Sequence, residues 1–185
     1  MHNIIETSRL ILRSFTLDDV KDVFEYASDE KVTKYLTWEA HKNIEETIHI
    51  IKTLYFNDNI FCIELKNEKK CIGAFELRPN ENTFSFGYVL NRKYWNRGIM
   101  TEVLQKMIEL SFEELGAKKF EGDYYEGNEA SATVMKKCGM TCQGLKRKFE
   151  CKGNTFNEVS YAITLDEYKT LKANSVGQRQ FQDKH

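Results

Sequence analysis

The chain has 185 residues, 41% of them apolar and 30% charged, with 27 Lys and Arg against 28 Asp and Glu. That length suits one domain with a substantial core. A net charge of −1 offers no basic surface for tracking a phosphate backbone, so nucleic acid is excluded as an expected partner.

No apolar run approaches the roughly 20 residues needed to span a bilayer, so no membrane partner is expected. The first ten residues mix His2, Asn3, Glu6 and Arg9 with apolar positions, unlike a secretory signal. Five cysteines (Cys62, Cys71, Cys138, Cys142 and Cys151) are odd in number and show no C-x-x-C spacing, and the four histidines form no ligand pattern. Neither a disulfide framework nor a metal site is expected, and the location read from this is cytoplasmic.

In chain order, 10–13 reads as a short strand. The run Thr16-Leu17-Asp18-Asp19 resembles a capping box, with Val20, Val23, Phe24 and Ala27 supplying a helical stripe behind it. A second helix over 43–55 places Ile44, Ile48, Ile51 and Tyr55 on one face. Strands over 60–65 and 71–77 flank a polar hairpin turn, and another over 83–90 follows a turn at 79–82. The longest helix starts near Gly98, carries Met100, Val103, Leu104, Met107, Ile108 and Phe112 inward, and stops near Gly116. A strand over 119–125, a helix over 129–137 and strands over 143–150 and 158–165 close the domain. The expected organisation is a domain over 1–165 and a tail over 166–185, partly disordered and frayed from Asn174. The order β-α-α-β-β-β-α-β-α-β-β predicts an α/β (α+β mixed) fold: one mixed sheet of about seven strands flanked by about four helices.

Two segments carry candidate chemistry. The first, 87–102, joins a strand to the longest helix, whose start offers unpaired N–H groups and the positive dipole end to a diphosphate. Gly98 lets the main chain approach such an anion, and Arg92 and Arg97 add positive charge. No G-K-[ST] or G-x-G-x-x-G pattern is present, and a solvated basic turn accounts for these residues equally well. The second is Asn128 with Ser131, which taken alone also reads as a helix N-cap and a first-turn serine.

Together these segments resemble the GNAT superfamily of N-acetyltransferases, especially its Rim-type branch, which acetylates ribosomal-protein N-termini. Gly87, Tyr88, Leu90, Tyr94, Trp95, Gly98, Thr101 and Glu102 match that branch's G-Y-x-L…Y-W-x-x-G-x-A-T-E pattern, and 7–13 resembles its T-x-R-L-x-L-R opening. Residues 124–140 resemble its N-x-x-S…K-x-G-F segment. Met100 and Ser85 depart from it: the branch usually carries Gly or Ala at the first position and often Glu, a usual general base, at the second.

The resemblance implies acetyl-CoA as co-substrate and a GNAT-like sheet whose central strands splay to admit the thioester. Tyr88, Val89 and Leu90 would hold the acetyl carbonyl through backbone N–H groups. Trp95, Asn96, Arg97, Gly98, Ile99, Met100 and Thr101 would form the diphosphate loop. Asn128 would bind the pantetheine arm, Ser131 would assist the leaving thiolate, and Lys137 would reach a phosphate. Glu76, Glu121 and Glu150 are candidate bases, with Glu150 named first. Tyr35, Trp38 and Phe149, together with Tyr55 and Phe56, would line the acceptor side. The implied function is transfer of acetyl to a primary amine, either a peptide N-terminus such as that of a ribosomal protein or a small molecule, with a homodimer as the family-based assembly. The alternative is a non-catalytic acyl-CoA-binding sensor or interaction module.

Overall fold

The computed structural model describes the backbone of residues 4–182 and the side chains of residues 4–174. One eight-stranded sheet runs through it: β1 (Ile5–Glu6), β2 (Leu10–Arg13), β3 (Ile60–Leu65), β4 (Lys70–Asn80), β5 (Thr83–Leu90), β6 (Lys119–Tyr125), β7 (Thr141–Cys151) and β8 (Asn154–Thr164). The order in space is β1-β2-β3-β4-β5-β6-β8-β7, antiparallel throughout except for the β5–β6 pair. The helices are α1 (Val20–Ala27), α2 (Glu30–Thr33), α3 (Ile44–Ile50), α4 (Ile99–Glu113), α5 (Glu129–Lys137) and α6 (Leu165–Gln182). The mixed fold is as expected, with eight strands rather than about seven and six helices among the described residues rather than about four.

Both faces of the central strands are buried, while β7 is largely exposed. On one, Leu10, Leu12, Ile63, Phe75 and Phe86 pack with Val103, Leu104 and Met107 of α4 and with Ala132 and Met135 of α5. On the other, Cys62, Cys71, Ala74 and Val89 pack with Val23 and Tyr26 of α1 and with Ile51. The capping box at Thr16 forms as read: the Thr16 N–H donates to Asp19 at 2.8 Å, and the Asp18 N–H donates to Thr16 Oγ1 at 3.3 Å.

Three boundaries differ from the sequence reading for identifiable reasons. Pro79, assigned to a turn, lies inside β4 opposite Phe84, and Glu81–Asn82 makes the turn. Pairing with β3 starts only at Glu76, so a residue without an N–H is tolerated on the free edge beyond it. The predicted second helix widens after Ile50 into a π-type turn, Ile51–Tyr55. Finally, 166–182 is helical instead of an irregular tail. A second capping box starts it, with the Thr164 N–H donating to Glu167 at 2.7 Å and the Glu167 N–H donating to Thr164 Oγ1 at 3.3 Å. Tyr168 packs at a tilt against Phe112, ring centroids 5.1 Å apart, and donates to Glu113 at 2.5 Å. Residues 183–185 lie outside the described residues.

The feature that positions the site is the short parallel pairing of β5 with β6. Only Thr83–Lys119, Phe84–Phe120 and Ser85–Glu121 pair. Beyond that rung the strands part, and the Phe86 ring occupies the fork, stacked between Phe75 (5.7 Å) and Phe120 (5.2 Å). Gly122 makes room for it, because a Cβ there would lie 2.4 Å from Phe86 Cζ. Gly122→Ala is therefore an overpacking change at a ring held by stacking. We expect it to lower stability by about 1–3 kcal/mol, read as a drop in the urea midpoint; an unchanged midpoint would show that the wedge is loose.

Candidate active site

Past Ser85, β5 keeps its β4 partner but has none on the other side. The Asn91 N–H reaches the Ile72 carbonyl on β4 at 2.8 Å, so strand alternation turns the N–H groups of Tyr88 and Leu90 toward the open side. The carbonyl of Leu90 on that side accepts from the Trp95 indole at 2.8 Å.

The loop after β5 is pinned at every step. The Asn91 carboxamide accepts from the Lys93 N–H at 3.0 Å and donates to Glu25 at 3.0 Å. Arg92 pairs with Asp29 at 2.7 Å and Lys93 with Glu25 at 2.8 Å, so Arg92, expected to add charge for the diphosphate, is already engaged. Arg97 stacks over Tyr94 at 5.2 Å and, among the described residues, has no carboxylate partner. Asn96 (φ 59°) and Gly98 (φ 71°) adopt left-handed conformations that turn the chain into α4. The first α4 hydrogen bond is the Glu102 N–H to the Gly98 carbonyl, so the amides of Ile99, Met100 and Thr101 have no intrahelical acceptor.

Glu102 fastens this loop to the start of the chain. It accepts from Thr7 Oγ1 at 2.6 Å, Ser8 Oγ at 3.1 Å, the Arg9 N–H at 3.0 Å and Arg9 Nε at 2.6 Å. Arg9 in turn donates to the Arg97 carbonyl at 2.9 Å. Burial pushes the Glu102 carboxyl upward, but the donors from Thr7 and Arg9 outweigh it and hold the group at about 2.

On the far wall, Asn128 is the N-cap of α5, yet its side chain makes no capping bond, leaving the carboxamide available to a ligand. One turn on, Ser131 Oγ meets Tyr88 Oη at 2.8 Å. This hydrogen bond bridges the splay from β5 to α5. Burial raises the Tyr88 hydroxyl to about 12, against the opposing Ser131 contact, so it keeps its proton at neutral pH. The two residues lie in a cleft of about 500 Å3, which also holds Tyr35, Trp38, Tyr55, Glu76, Asp123, Tyr125, Asn128 and Glu158.

This architecture has known counterparts. Residues 9–141 match the family described as Acetyltransferase (GNAT) domain. The chain is 32% identical over 167 residues to the uncharacterized N-acetyltransferase YnaD of Bacillus subtilis, covering 89% of this chain and 98% of that protein. The chain belongs to the GNAT acetyltransferase family. It is an acetyl-CoA-dependent N-acetyltransferase on that ground. A GNAT-family acetyltransferase from Bacillus anthracis superposes with a TM-score of 0.81 at 28% identity, over 89% of this chain and 99% of that one. RimL, a ribosomal-protein α-N-acetyltransferase solved in complex with coenzyme A, superposes with a TM-score of 0.74 at 21% identity, over 89% and 99%.

In this GNAT chain the departure at Met100 is accommodated. Its side chain is buried in the α4 core, so only its backbone faces the loop. Ile99 is also buried there. Cys138 Sγ lies 3.6 Å from the Thr101 carbonyl, which sets the last turn of α5, and with it exposed Lys137, beside the first turn of α4.

The expected acceptor side is assembled only in part. Tyr35 and Trp38 line the cleft, whereas Phe149 stands behind Tyr125, stacked on it at 5.3 Å. Glu150 is not brought to the cleft. It pairs with Thr155 near the β7–β8 hairpin tip, and strand alternation points it opposite to Phe149. Of the other two carboxylates, Glu121 is tied to Lys119 at 2.6 Å on the last paired rung, while Glu76 lines the cleft and pairs with Arg78. Sequence reasoning missed Asp123 and Glu158 in the cleft and the hydroxyl of Tyr88. The spacing of Phe86 and Tyr88, which puts both on the helix-covered face, was a usable signal for that last contact.

The Glu102 tether has a pH signature. With its carboxyl moved from 4.5 down to about 2 in the fold, ionised Glu102 stabilises the protein above pH 4.5, and that contribution drains away as pH falls toward 2. Glu102→Gln should therefore lower Tm at pH 7 and converge with wild type as pH falls through that window. Parallel melting curves across the window would overturn this account of the tether.

Proposed function

We propose that this GNAT enzyme transfers acetyl from the thioester to a primary amine, a peptide α-amine or a small-molecule amine, in the cytoplasm. The reading rests above all on the Tyr88–Ser131 contact across the splay. The thioester supplies an activated acetyl group. The amine nitrogen bonds to the acetyl carbon as the carbon–sulfur bond breaks, the amine's proton departs to water, and the thiolate takes a proton from Ser131. Tyr88, protonated at neutral pH, replaces the proton on Ser131 and regains its own from water, which has taken the amine's proton. The N–H groups of Tyr88 and Leu90 that face the open side supply donors for the carbonyl oxygen. Asn128 holds the pantetheine arm, and the amides at the start of α4, with Arg97 and Lys137, hold the phosphates.

Because amines are protonated at neutral pH, with pKa values of about 8 for an α-amine and about 10.4 for lysine, an α-amine or a desolvated amine reacts more readily. Turning Met100 inward removes one reason to prefer a non-catalytic acyl-CoA-binding module.

Ser131→Ala should reduce kcat about 100-fold while leaving the acetyl-CoA Kd within twofold, by stopped-flow thiol release and calorimetry. A kcat unchanged where chemistry is rate-limiting would remove Ser131 from the mechanism. Gly98→Val forces a β-branched residue to φ 71°, and its acetyl-CoA Kd should rise at least tenfold in a folded protein. Equal affinity would move the diphosphate elsewhere.

A further inference from the structure

Asn128 carries a carboxamide that α5 does not use as a cap, so its direction is set by the backbone that leads into it. That backbone is a tight turn over 125–128, closed by the Asn128 N–H donating to the Tyr125 carbonyl at 2.9 Å. Gly127 stands third in the turn at φ 97°, a conformation that favours glycine. On the Glu126 side the turn is tied to β8. The Glu126 N–H donates to the Asn157 carbonyl at 2.9 Å, and the Asn157 carboxamide donates to Glu126 at 2.7 Å. On the Gly127 side the tie comes from across the cleft: Tyr35 Oη donates to the Gly127 carbonyl at 2.9 Å, 92 residues away in sequence.

Two of these hydrogen bonds act on a single peptide unit. The Gly127 C=O and the Asn128 N–H share one plane, and Tyr35 at one end with Tyr125 at the other holds that plane against rotation. The Asn128 Cα follows directly from it, and so does the start of its side chain. The Asn128 carbonyl then accepts from the Ser131 N–H at 3.0 Å. Tyr35 itself lies between α2 and α3, in a segment fastened to the β7–β8 hairpin. Lys152 Nζ donates to the Thr33 carbonyl at 2.7 Å, and Cys151 Sγ lies 3.7 Å from the Leu36 carbonyl. The Tyr35 ring has contacts of its own: its centroid is 6.0 Å from that of Phe156, edge to face, and 4.8 Å from Lys34 Nζ. Removing the hydroxyl therefore leaves the ring anchored and releases only the turn.

We propose that Tyr35 is a positioning residue for the coenzyme: its hydroxyl fixes the Gly127–Asn128 peptide and so aims the Asn128 carboxamide at the pantetheine arm. This rests on the reading of Asn128 as that arm's partner. Tyr35 acts through Asn128, even though its own segment supplies Thr37 and Trp38 to the cleft wall. A hydrogen bond between uncharged groups contributes modestly, so its loss weakens coenzyme binding several-fold without abolishing it.

The test is calorimetric titration of the full chain with acetyl-CoA and, separately, with adenosine 3′,5′-bisphosphate, a piece of the coenzyme that lacks the arm. Tyr35→Phe, which keeps the ring, should weaken acetyl-CoA about three- to tenfold and leave the fragment's affinity and Tm unchanged. Asn128→Ala should weaken acetyl-CoA at least as much. Adding Tyr35→Phe to Asn128→Ala should then change nothing further, because both act through one contact. Equal weakening of acetyl-CoA and the fragment would mark a merely structural role and overturn the proposal, as would full additivity in the double variant. A weakened Asn128→Ala protein beside an unchanged Tyr35→Phe protein overturns the Tyr35 proposal alone. An Asn128→Ala protein that binds like wild type overturns the pantetheine reading, and the proposal with it.

Discussion

Everything at the candidate site follows from the parting of β5 and β6 after three rungs. A parallel pair left open would strand backbone donors and acceptors in the middle of a sheet, an arrangement that folded proteins avoid unless something answers those groups. Here the Phe86 ring fills the base of the fork, Trp95 satisfies the Leu90 carbonyl, and Ser131 reaches across to Tyr88. The N–H groups of Tyr88 and Leu90 that face the gap are the donors an acyl carbonyl requires. The splay is therefore a backbone site held open by packing, and the side chains around it refine what it accepts.

A second constraint is the fixed shape of the loop entering α4. The cationic side chains of Arg92 and Lys93 are spent on Asp29 and Glu25, which orders the loop and leaves its charge toward a ligand modest. What remains for an anion is main chain: a left-handed Gly98, the free first-turn amides and the nearby Arg97. Buried Asp19, Cys62 and Cys71 also lie close together, within 4.8 Å. Asp19 is occupied by Arg13 and by its capping role, and burial pushes the Cys62 thiol up, so the cluster behaves as part of the core beneath α1.

Much of this was legible in the sequence because local signals agreed with tertiary ones. The strand over 119–125 and the helix over 129–137 agree with the sequence reading to the residue, since turn residues follow each of them. The loop motif and the Asn128/Ser131 pair fell on the expected elements. The misreadings share a cause: they depend on what neighbouring chain segments do. Pro79 is tolerated because β3 has ended beside it, α6 forms because Thr164 and Glu167 cap each other, and Glu150 misses the cleft because β7 pairs only with β8. Asp123 carries no local mark at all. It comes to line the cleft only once β6 has left β5, which no spacing in the sequence reports.

The four donors converging on Glu102 come from residues 7–9, far from the coenzyme loop in sequence and part of an edge region in the sheet. Local opening of that region and loss of loop order are thus one event rather than two. A ligand that holds the loop also protects the amides near the start of the chain. In hydrogen-exchange terms, the first strands become a reporter of occupancy at a loop they meet only through the contacts of residues 7–9.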